Sequence, residues 1–289
     1  DGVGLLRTEY LFQNRLDPPT LQEQYDTYSY FATQLVGRQL TIRAFDIGGD
    51  KPMPYLIHSH EANPFLGLRG IRLLLTKPEL ISTQYRALWR VAHTLATGAG
   101  TEIDIRFMLP MISTVEEVRA MRAVLAEVEA KERAALPASA QGVVPKIKIG
   151  VMIEVPSAAL IADRIAPLVD FFSIGTNDLA QYVLATDRTN SSVAALADPL
   201  HPAVLRLIQL TCQAGAAAGI PVSICGEIGG DPAAIPLLLG LGLNELSVPV
   251  PAIPLVKEAV RRVTQVDCCT LADRALRCEG GSQVHTLLG

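Results

Sequence analysis

Short apolar runs alternate along the chain with longer stretches whose apolar residues recur every three or four positions, a rhythm that predicts strands each followed by a helix. The first run, Gly2-Val-Gly-Leu-Leu6, ends in Arg7-Thr8-Glu9. Residues 20–36 read as a helix capped by Thr20 and stopped by Gly37, with Leu21, Tyr25, Tyr28, Phe31 and Leu35 on one face. A second strand, 40–45, runs through Arg43 into Asp46. Helical spacing resumes near Gly70, is broken by Pro78 and continues to Leu95 through Ile81, Tyr85, Leu88 and Ala92. Further strands are predicted at 103–109, 147–153, 171–174, 221–224 and 245–248. Helices are predicted to open at a Ser113–Glu116 capping box, at Ser157, at Pro202 (ending at Gly219), at Asp231-Pro232, and finally over 252–263. Residues 136–146 read as a surface loop.

Strand and helix alternate seven times, the pattern of a parallel α/β fold. Alternation alone does not separate an open sheet from a closed barrel. Arg7, Arg43, Glu154, Asp178 and Cys225, however, all fall at or just past strand ends. Chemistry contributed by many strand ends is what a TIM (β/α)8-type barrel supplies, so that is the expected fold class, with the first strand missing from this chain. The barrel is expected over 1–264, leaving 265–289 as a C-terminal tail without a motif.

Composition narrows the chemistry. A length of 289 residues with 49% hydrophobic content is enough for one large core. The net charge of −4 argues against a general nucleic-acid binder and turns the arginines toward a small anion. No apolar run reaches the roughly 18 residues a membrane span needs, and no signal peptide precedes the first strand. Five cysteines with no C-x-x-C pair point to reduced thiols in the cytoplasm rather than a disulfide framework. Cys212, Cys268, Cys269 and Cys278 read as inert.

The densest chemistry lies in 170–188. The run Phe171–Ile174 has the length of a buried strand and breaks off in Gly175-Thr176-Asn177-Asp178. Asn177 and Asp178 can cap the next helix, whose amides would face an anion; Asp178 can equally offer oxygen to a hard cation, and Arg188 can return to the same pocket. Together these features suggest a phosphate site, against the plain alternative of an ordinary loop and N-cap.

Six stretches in one order carry a resemblance. They are Gly4-Leu-Leu-Arg-Thr-Glu-Tyr-Leu-Phe12, Arg43-Ala-Phe-Asp-Ile-Gly-Gly-Asp-Lys51, Asn63-Pro-Phe-Leu-Gly-Leu-Arg69, Gly150-Val-Met-Ile-Glu-Val-Pro156, Phe172-Ser-Ile-Gly-Thr-Asn-Asp-Leu-Ala-Gln181 and Cys225-Gly-Glu227. Over about 1–263 the chain resembles the phosphoenolpyruvate-binding barrel of Enzyme I of the bacterial sugar phosphotransferase system; the fused multiphosphoryl transfer proteins are equally compatible. The resemblance implies that phosphoenolpyruvate gives its phosphoryl group to a histidine on a separate domain, leaving pyruvate, as the first step of sugar transport. It implies Mg2+ as cofactor, a phosphohistidine domain and a phosphocarrier protein as partners, and a homodimer. None of His58, His60, His93, His201 and His285 has the Thr-Ser-His setting of the family's acceptor. The chain is therefore expected to bind phosphoenolpyruvate without completing a transfer alone.

The resemblance also assigns roles. Arg7, Arg43 and Arg188 are the phosphate candidates, because guanidinium forks bind phosphate bidentately. Arg69 is placed near the enol or bridging oxygen, and Asn177 on the phosphate or carboxylate. Glu154 and Asp178, from consecutive strand ends, suit Mg2+ completed by substrate oxygens and water. Cys225 is the expected proton donor to the methylene carbon of the enolate, with Gly226 permitting close approach. A lone Arg is more often a surface ion pair, Glu154 could serve a helix N-terminus, and a free Cys is usually a small buried hydrophobe. Strand-end placement and the resemblance favour the functional reading at these positions. Asp46, Asp50, Lys51 and Asn63 are read as a supporting shell or lid, with a solvated turn as an equal alternative. Glu9 is expected to orient Arg7, and Glu227 to hydrogen-bond near Cys225. The rival readings are the barrel of a pyruvate–phosphate dikinase or phosphoenolpyruvate synthase, a Mg2+-dependent lyase on a related barrel, and a non-catalytic ligand-sensing or dimerisation module.

Overall fold

The computed structural model describes residues 1–13, 15–48, 61–98 and 103–289; Asp50, Lys51, His58 and His60 lie outside the described residues. The described chain forms two compact units, one of residues 1–111 and 115–149, the other of 112–114 and 150–289.

In the first unit β1 (Gly2–Leu6), β2 (Gln39–Arg43) and β3 (Asp104–Leu109) pair in chain order, all parallel, with Val3 opposite Leu40 and Arg43 opposite Met108. The connections carry α1 (Leu21–Gln34), α2 (Ile71–Thr76), α3 (Pro78–Thr97) and α4 (Val115–Ala134). Thr20 caps α1 in a reciprocal box: Glu23 N donates to Thr20 Oγ1 at 3.2 Å, and Thr20 N donates to Glu23 Oε2 at 2.7 Å. Pro78 ends one helix and opens the next, because a first helical position needs no N–H and suits the fixed proline φ. Helix α3 packs on both α1 and α4. Ile81, Tyr85 and Leu88 of α3, and Val118, Met121 and Leu125 of α4, are buried with Leu40, Ile42, Ile105 and Phe107 of the strands. Burying each such side chain contributes on the order of 1.5–3 kcal/mol. On α1 the buried positions are Gln24, Tyr28 and Ala32, narrower than the expected aromatic face.

The second unit pairs β4 (Ile147–Ile153, entering the unit at Gly150), β5 (Phe171–Ile174), β6 (Val222–Ile224) and β7 (Glu245–Leu246), again parallel and in chain order. Its helices are α5 (Pro156–Leu160), α6 (Ala162–Ile165), α7 (Thr176–Val183), α8 (Pro202–Ala218), α9 (Ile235–Gly240), α10 (Ile253–Arg261), α11 (Gln265–Ala275) and α12 (Gly281–Leu288). Helix α8 buries Val204, Leu205, Ile208 and Cys212, as its spacing predicts, and stops at Gly219 in the left-handed region. The helix expected to be the last, α10, is followed by two more. Helix α11 packs against α9 and buries Cys268 and Ala272. Among the described residues no helix is long and apolar enough to cross a membrane.

Besides α7, described below, two helix starts differ from expectation. Ser157 caps nothing: α5 opens on Pro156 with Val155 at the cap, and Ser157 Oγ donates instead to Ser113 O at 2.9 Å. Asp231 does not begin α9, which starts at Ile235; its carboxylate accepts from Ala233 N at 3.0 Å in the preceding turn.

Candidate functional site

Every expected site residue lies at or beyond the carboxyl end of a strand or in the connection that follows. In the first unit Arg7 follows the last residue of β1 and Arg43 is the last residue of β2. Arg43 and Arg69 are 6% and 3% exposed, far from the surface ion pairs that lone arginines usually form. Asp46 holds both: its Oδ2 lies 2.9 Å from Arg69 Nη2 and 3.7 Å from Arg43 Nη1. Glu9 Oε1 accepts from Arg43 Nη2 at 2.8 Å and from Asp46 N at 2.9 Å. Two cations and two anions are thus buried together, with Asp46 paired to both guanidiniums. Glu9 is not the partner of Arg7; its carboxylate is committed to Arg43. Arg7 is exposed, with no hydrogen bond or ion pair to another described residue. Arg69 also lies over the Phe65 ring, 5.7 Å from its centroid. Asn63 is exposed and stands at the N-cap of a single 3-10 turn, Pro64–Leu66, without a side-chain cap bond.

Beneath this cluster is a residue that sequence reasoning missed. Gln84 of α3 is fully buried. Its Nε2 has Thr8 Oγ1 at 3.1 Å, Tyr28 Oη at 3.2 Å and Arg43 O at 3.2 Å, and its Oε1 accepts from Phe45 N at 3.1 Å. Thr8 Oγ1 donates to Arg43 O as well, at 3.1 Å. One amide therefore ties the turn after β1 to the end of β2. The only hint in the sequence is a polar residue between Ile81 and Leu88 on the apolar face of a helix.

In the second unit Glu154 follows β4 and Cys225 follows β6. Helix α7 begins at Thr176 with Gly175 at its cap and no capping side chain, so Asn177 and Asp178 sit inside the first turn and are not N-caps. Glu154 and Asp178 are 2% and 6% exposed. Arg188 Nη2 lies 3.1 Å from Asp178 Oδ1, so the guanidinium does return to that carboxylate, and Arg188 N donates to Gln181 Oε1 at 3.0 Å. Asn177 and Glu227 form a reciprocal pair: Asn177 Nδ2 donates to Glu227 Oε1 at 3.2 Å, and Glu227 N donates to Asn177 Oδ1 at 3.3 Å. Glu227 is thus tied to the residue beside Asp178. Cys225 is part-buried, with N and Sγ 3.0 and 3.6 Å from Ile174 O. Burial pushes the Cys212 thiol up to about 12 and raises that of Cys268, which agrees with their reading as inert.

Two glycines let neighbouring side chains lie directly against the backbone here. A Cβ at Gly175 would lie 2.9 Å from Glu154 Oε2, and one at Gly226 would lie 1.7 Å from Thr176 Oγ1. Thr176 is fully buried, and its hydroxyl has no partner among the described residues. Two buried carboxylates from consecutive strand ends suit a hard divalent cation completed by ligand oxygens. Among the described residues no group of three or more His, Cys, Asp or Glu side chains could hold a metal ion. A cation here would therefore need oxygen from its ligand.

Residues 1–265 match the family model described as PEP-utilising enzyme, PEP-binding domain, where PEP is phosphoenolpyruvate. The chain is 48% identical over 287 residues to a multiphosphoryl transfer protein of Xanthomonas campestris, covering 99% of this chain and 32% of that protein. It is 46% identical over 290 residues to a phosphoenolpyruvate-protein phosphotransferase of Haloferax volcanii, covering 100% of this chain and 49% of that protein. A phosphoenolpyruvate-protein phosphotransferase of Bacillus subtilis is 43% identical over 276 residues, covering 96% of this chain and 46% of that protein. The chain thus spans about half the length, or less, of these curated relatives. Among solved structures, Haloferax volcanii malate synthase in a pyruvate/acetyl-CoA ternary complex superposes with a TM-score of 0.52 at 13% identity, covering 84% of this chain and 57% of that one. The likeness bears on the fold, which is of the expected parallel β/α-barrel class.

Proposed function

Because the chain belongs to the phosphoenolpyruvate-binding domain family of phosphoenolpyruvate-utilising enzymes, we propose that it is the substrate-binding part of a phosphoenolpyruvate-protein phosphotransferase. In this reading it passes the phosphoryl group to a histidine on a separate domain and releases pyruvate, at the start of sugar phosphotransferase transport in the cytoplasm. The observation that carries the proposal is the pair of buried guanidiniums, Arg43 and Arg69, fixed at a strand end by Asp46 and Glu9. Burying two guanidiniums in a rigid frame has a solvation cost that a surface role would not incur, and it preorganises positive charge for an anion.

Phosphoryl transfer depends mainly on positioning and on charge stabilisation around the phosphate oxygens. Arg7, Arg43 and Arg188 bind those oxygens, Arg69 the enol oxygen, and Asn177 the phosphate or carboxylate. Glu154 and Asp178 would hold Mg2+, which supplies charge neutralisation at the phosphate when bound. As the bond between phosphorus and the enol oxygen breaks, phosphorus bonds to the acceptor histidine nitrogen and the electron pair stays with the enolate. The Cys225 thiol gives its proton to the methylene carbon, which yields pyruvate, and the thiolate recovers a proton from solvent. Residues 1–264 carry the substrate site, and 265–289 follow as a C-terminal tail. The partners are the phosphohistidine domain and a phosphocarrier protein, and the functional unit is a homodimer.

The test is pyruvate release on addition of a purified phosphohistidine domain and phosphocarrier protein. The chain alone is expected to release none, and the completed mixture to turn over. Cys225→Ala is expected to lower turnover by about 10²–10⁴-fold while still binding phosphoenolpyruvate. Turnover by Cys225→Ala at the unsubstituted rate would remove the thiol from the mechanism.

A further inference from the structure

Residues 265–289 carry no expected chemistry, yet their last helix reaches the segment that bears Arg188. We propose that α12 is a clasp on residues 185–201, with Asp198, Gly281 and His285 as positioning residues that act on the substrate site through Arg188; this rests on the reading of Arg188 as a phosphate ligand. His285 Nε2 lies 3.3 Å from Asp198 Oδ2, and the other carboxylate oxygen, Oδ1, accepts from Leu200 N at 2.9 Å. Gly281, the first residue of α12, meets the same carboxylate so closely that an added Cβ would lie 1.8 Å from Asp198 Oδ2. Asp198 is thus held from within its own segment and from α12.

The segment is built to transmit that hold. Between α7 and α8 the chain has no long helix or strand, and a connection of this length in a compact unit is usually functional. It is a succession of tight turns: Asn190 N donates to Asp187 O, Val193 N to Asn190 O, Leu196 N to Val193 O, Ala197 N to Ala194 O and His201 N to Asp198 O, all at 2.9–3.1 Å. The other end is pinned at the site itself. Thr186 N donates to Gln181 O at 3.0 Å, Arg188 N donates to Gln181 Oε1 at 3.0 Å, and Arg188 pairs with Asp178. Asp198 is the far anchor of a run of turns whose near anchor is Arg188.

Gly281→Ala separates the clasp from a merely appended helix, because the two predict opposite effects. Alanine favours helix over glycine, so an independent α12 would gain order and leave 185–201 unchanged. A clasp would lose Asp198 to the new methyl group. Hydrogen exchange of the full chain, with and without phosphoenolpyruvate and Mg2+, reads both. With Gly281→Ala and His285→Ala, amides of 190–198 are expected to exchange about tenfold faster while those of α8 and α11 keep their protection. The phosphoenolpyruvate Kd is expected to rise roughly three- to tenfold. His285→Gln, which keeps a donor nitrogen, should restore most of both. Unchanged exchange over 190–198 in folded Gly281→Ala would overturn the clasp, as would faster exchange with an unchanged Kd. If the unsubstituted chain does not bind phosphoenolpyruvate, the substrate reading fails by itself, and the exchange rates still decide whether α12 holds the segment.

Discussion

Gln84 sits on the apolar face of α3 and is buried with both ends of its amide satisfied, so its contribution is set by what it leaves behind when removed. Leucine in its place would strand the amide of Phe45 and take one partner each from Thr8, from Arg43 O and from the Tyr28 hydroxyl, which still donates to Gln24 Oε1 at 3.1 Å. One buried polar group left unpaired costs about 1–3 kcal/mol, so Gln84→Leu should destabilise the chain by roughly 1–3 kcal/mol. Denaturant unfolding checks this; a loss under half a kilocalorie would mean that the network is slack. Single residues were legible in proportion to how much their chemistry depends on place along the chain. Arg43, Glu154 and Cys225 follow from where strands end, and the structure puts them there. Glu9 did not follow, because its partner is chosen across β1 and β2 rather than along either strand. Gln84 has no motif at all: its role exists only once α3 lies against the strand ends.

Elements were read well where a periodic pattern had clear stops. Thr20, Pro78 and Gly219 mark the boundaries of α1, α3 and α8 for reasons of local backbone chemistry. Asn177 and Ser157 failed as caps because Gly175 and the Val155-Pro156 pair start those helices instead, with no side-chain bond. Helix α11 was missed although Thr264 caps it by accepting from Asp267 N at 3.2 Å, and it packs on α9. Between α3 and α4 a cross-helix bridge gives a prediction. Burial pushes Glu132 up, but hydrogen bonds from Arg90 Nε at 2.6 Å and Arg86 Nε at 2.7 Å outweigh it, so its carboxyl titrates below the usual range. A depressed carboxyl stabilises the fold above its unfolded pKa, and that contribution is lost as pH falls through the lower folded value. Because the arginines are partly exposed, Glu132→Gln should cost about 1 kcal/mol at pH 7. The difference from the unsubstituted chain should shrink as pH drops below about 4.3. Urea unfolding between pH 3 and 7 reads it, and a gap that stays constant with pH would show that Glu132 acts through packing alone.

For the chain taken whole, family membership and fold class were legible from six ordered motifs, five of which span or directly follow a strand end. The account makes a specific claim about what those motifs do together: the chain binds phosphoenolpyruvate through fixed guanidiniums and through a divalent cation held by Glu154 and Asp178, while Cys225 serves only the later proton transfer. Calorimetric titration of phosphoenolpyruvate into the chain, in Mg2+ and then in EDTA, tests it most directly when repeated on Cys225→Ala and Asp178→Ala. The account predicts binding in Mg2+ that falls at least tenfold in EDTA, survives loss of the thiol and disappears with Asp178→Ala. Binding that is indifferent to EDTA and to Asp178→Ala, or no binding by a folded chain in Mg2+, would contradict it.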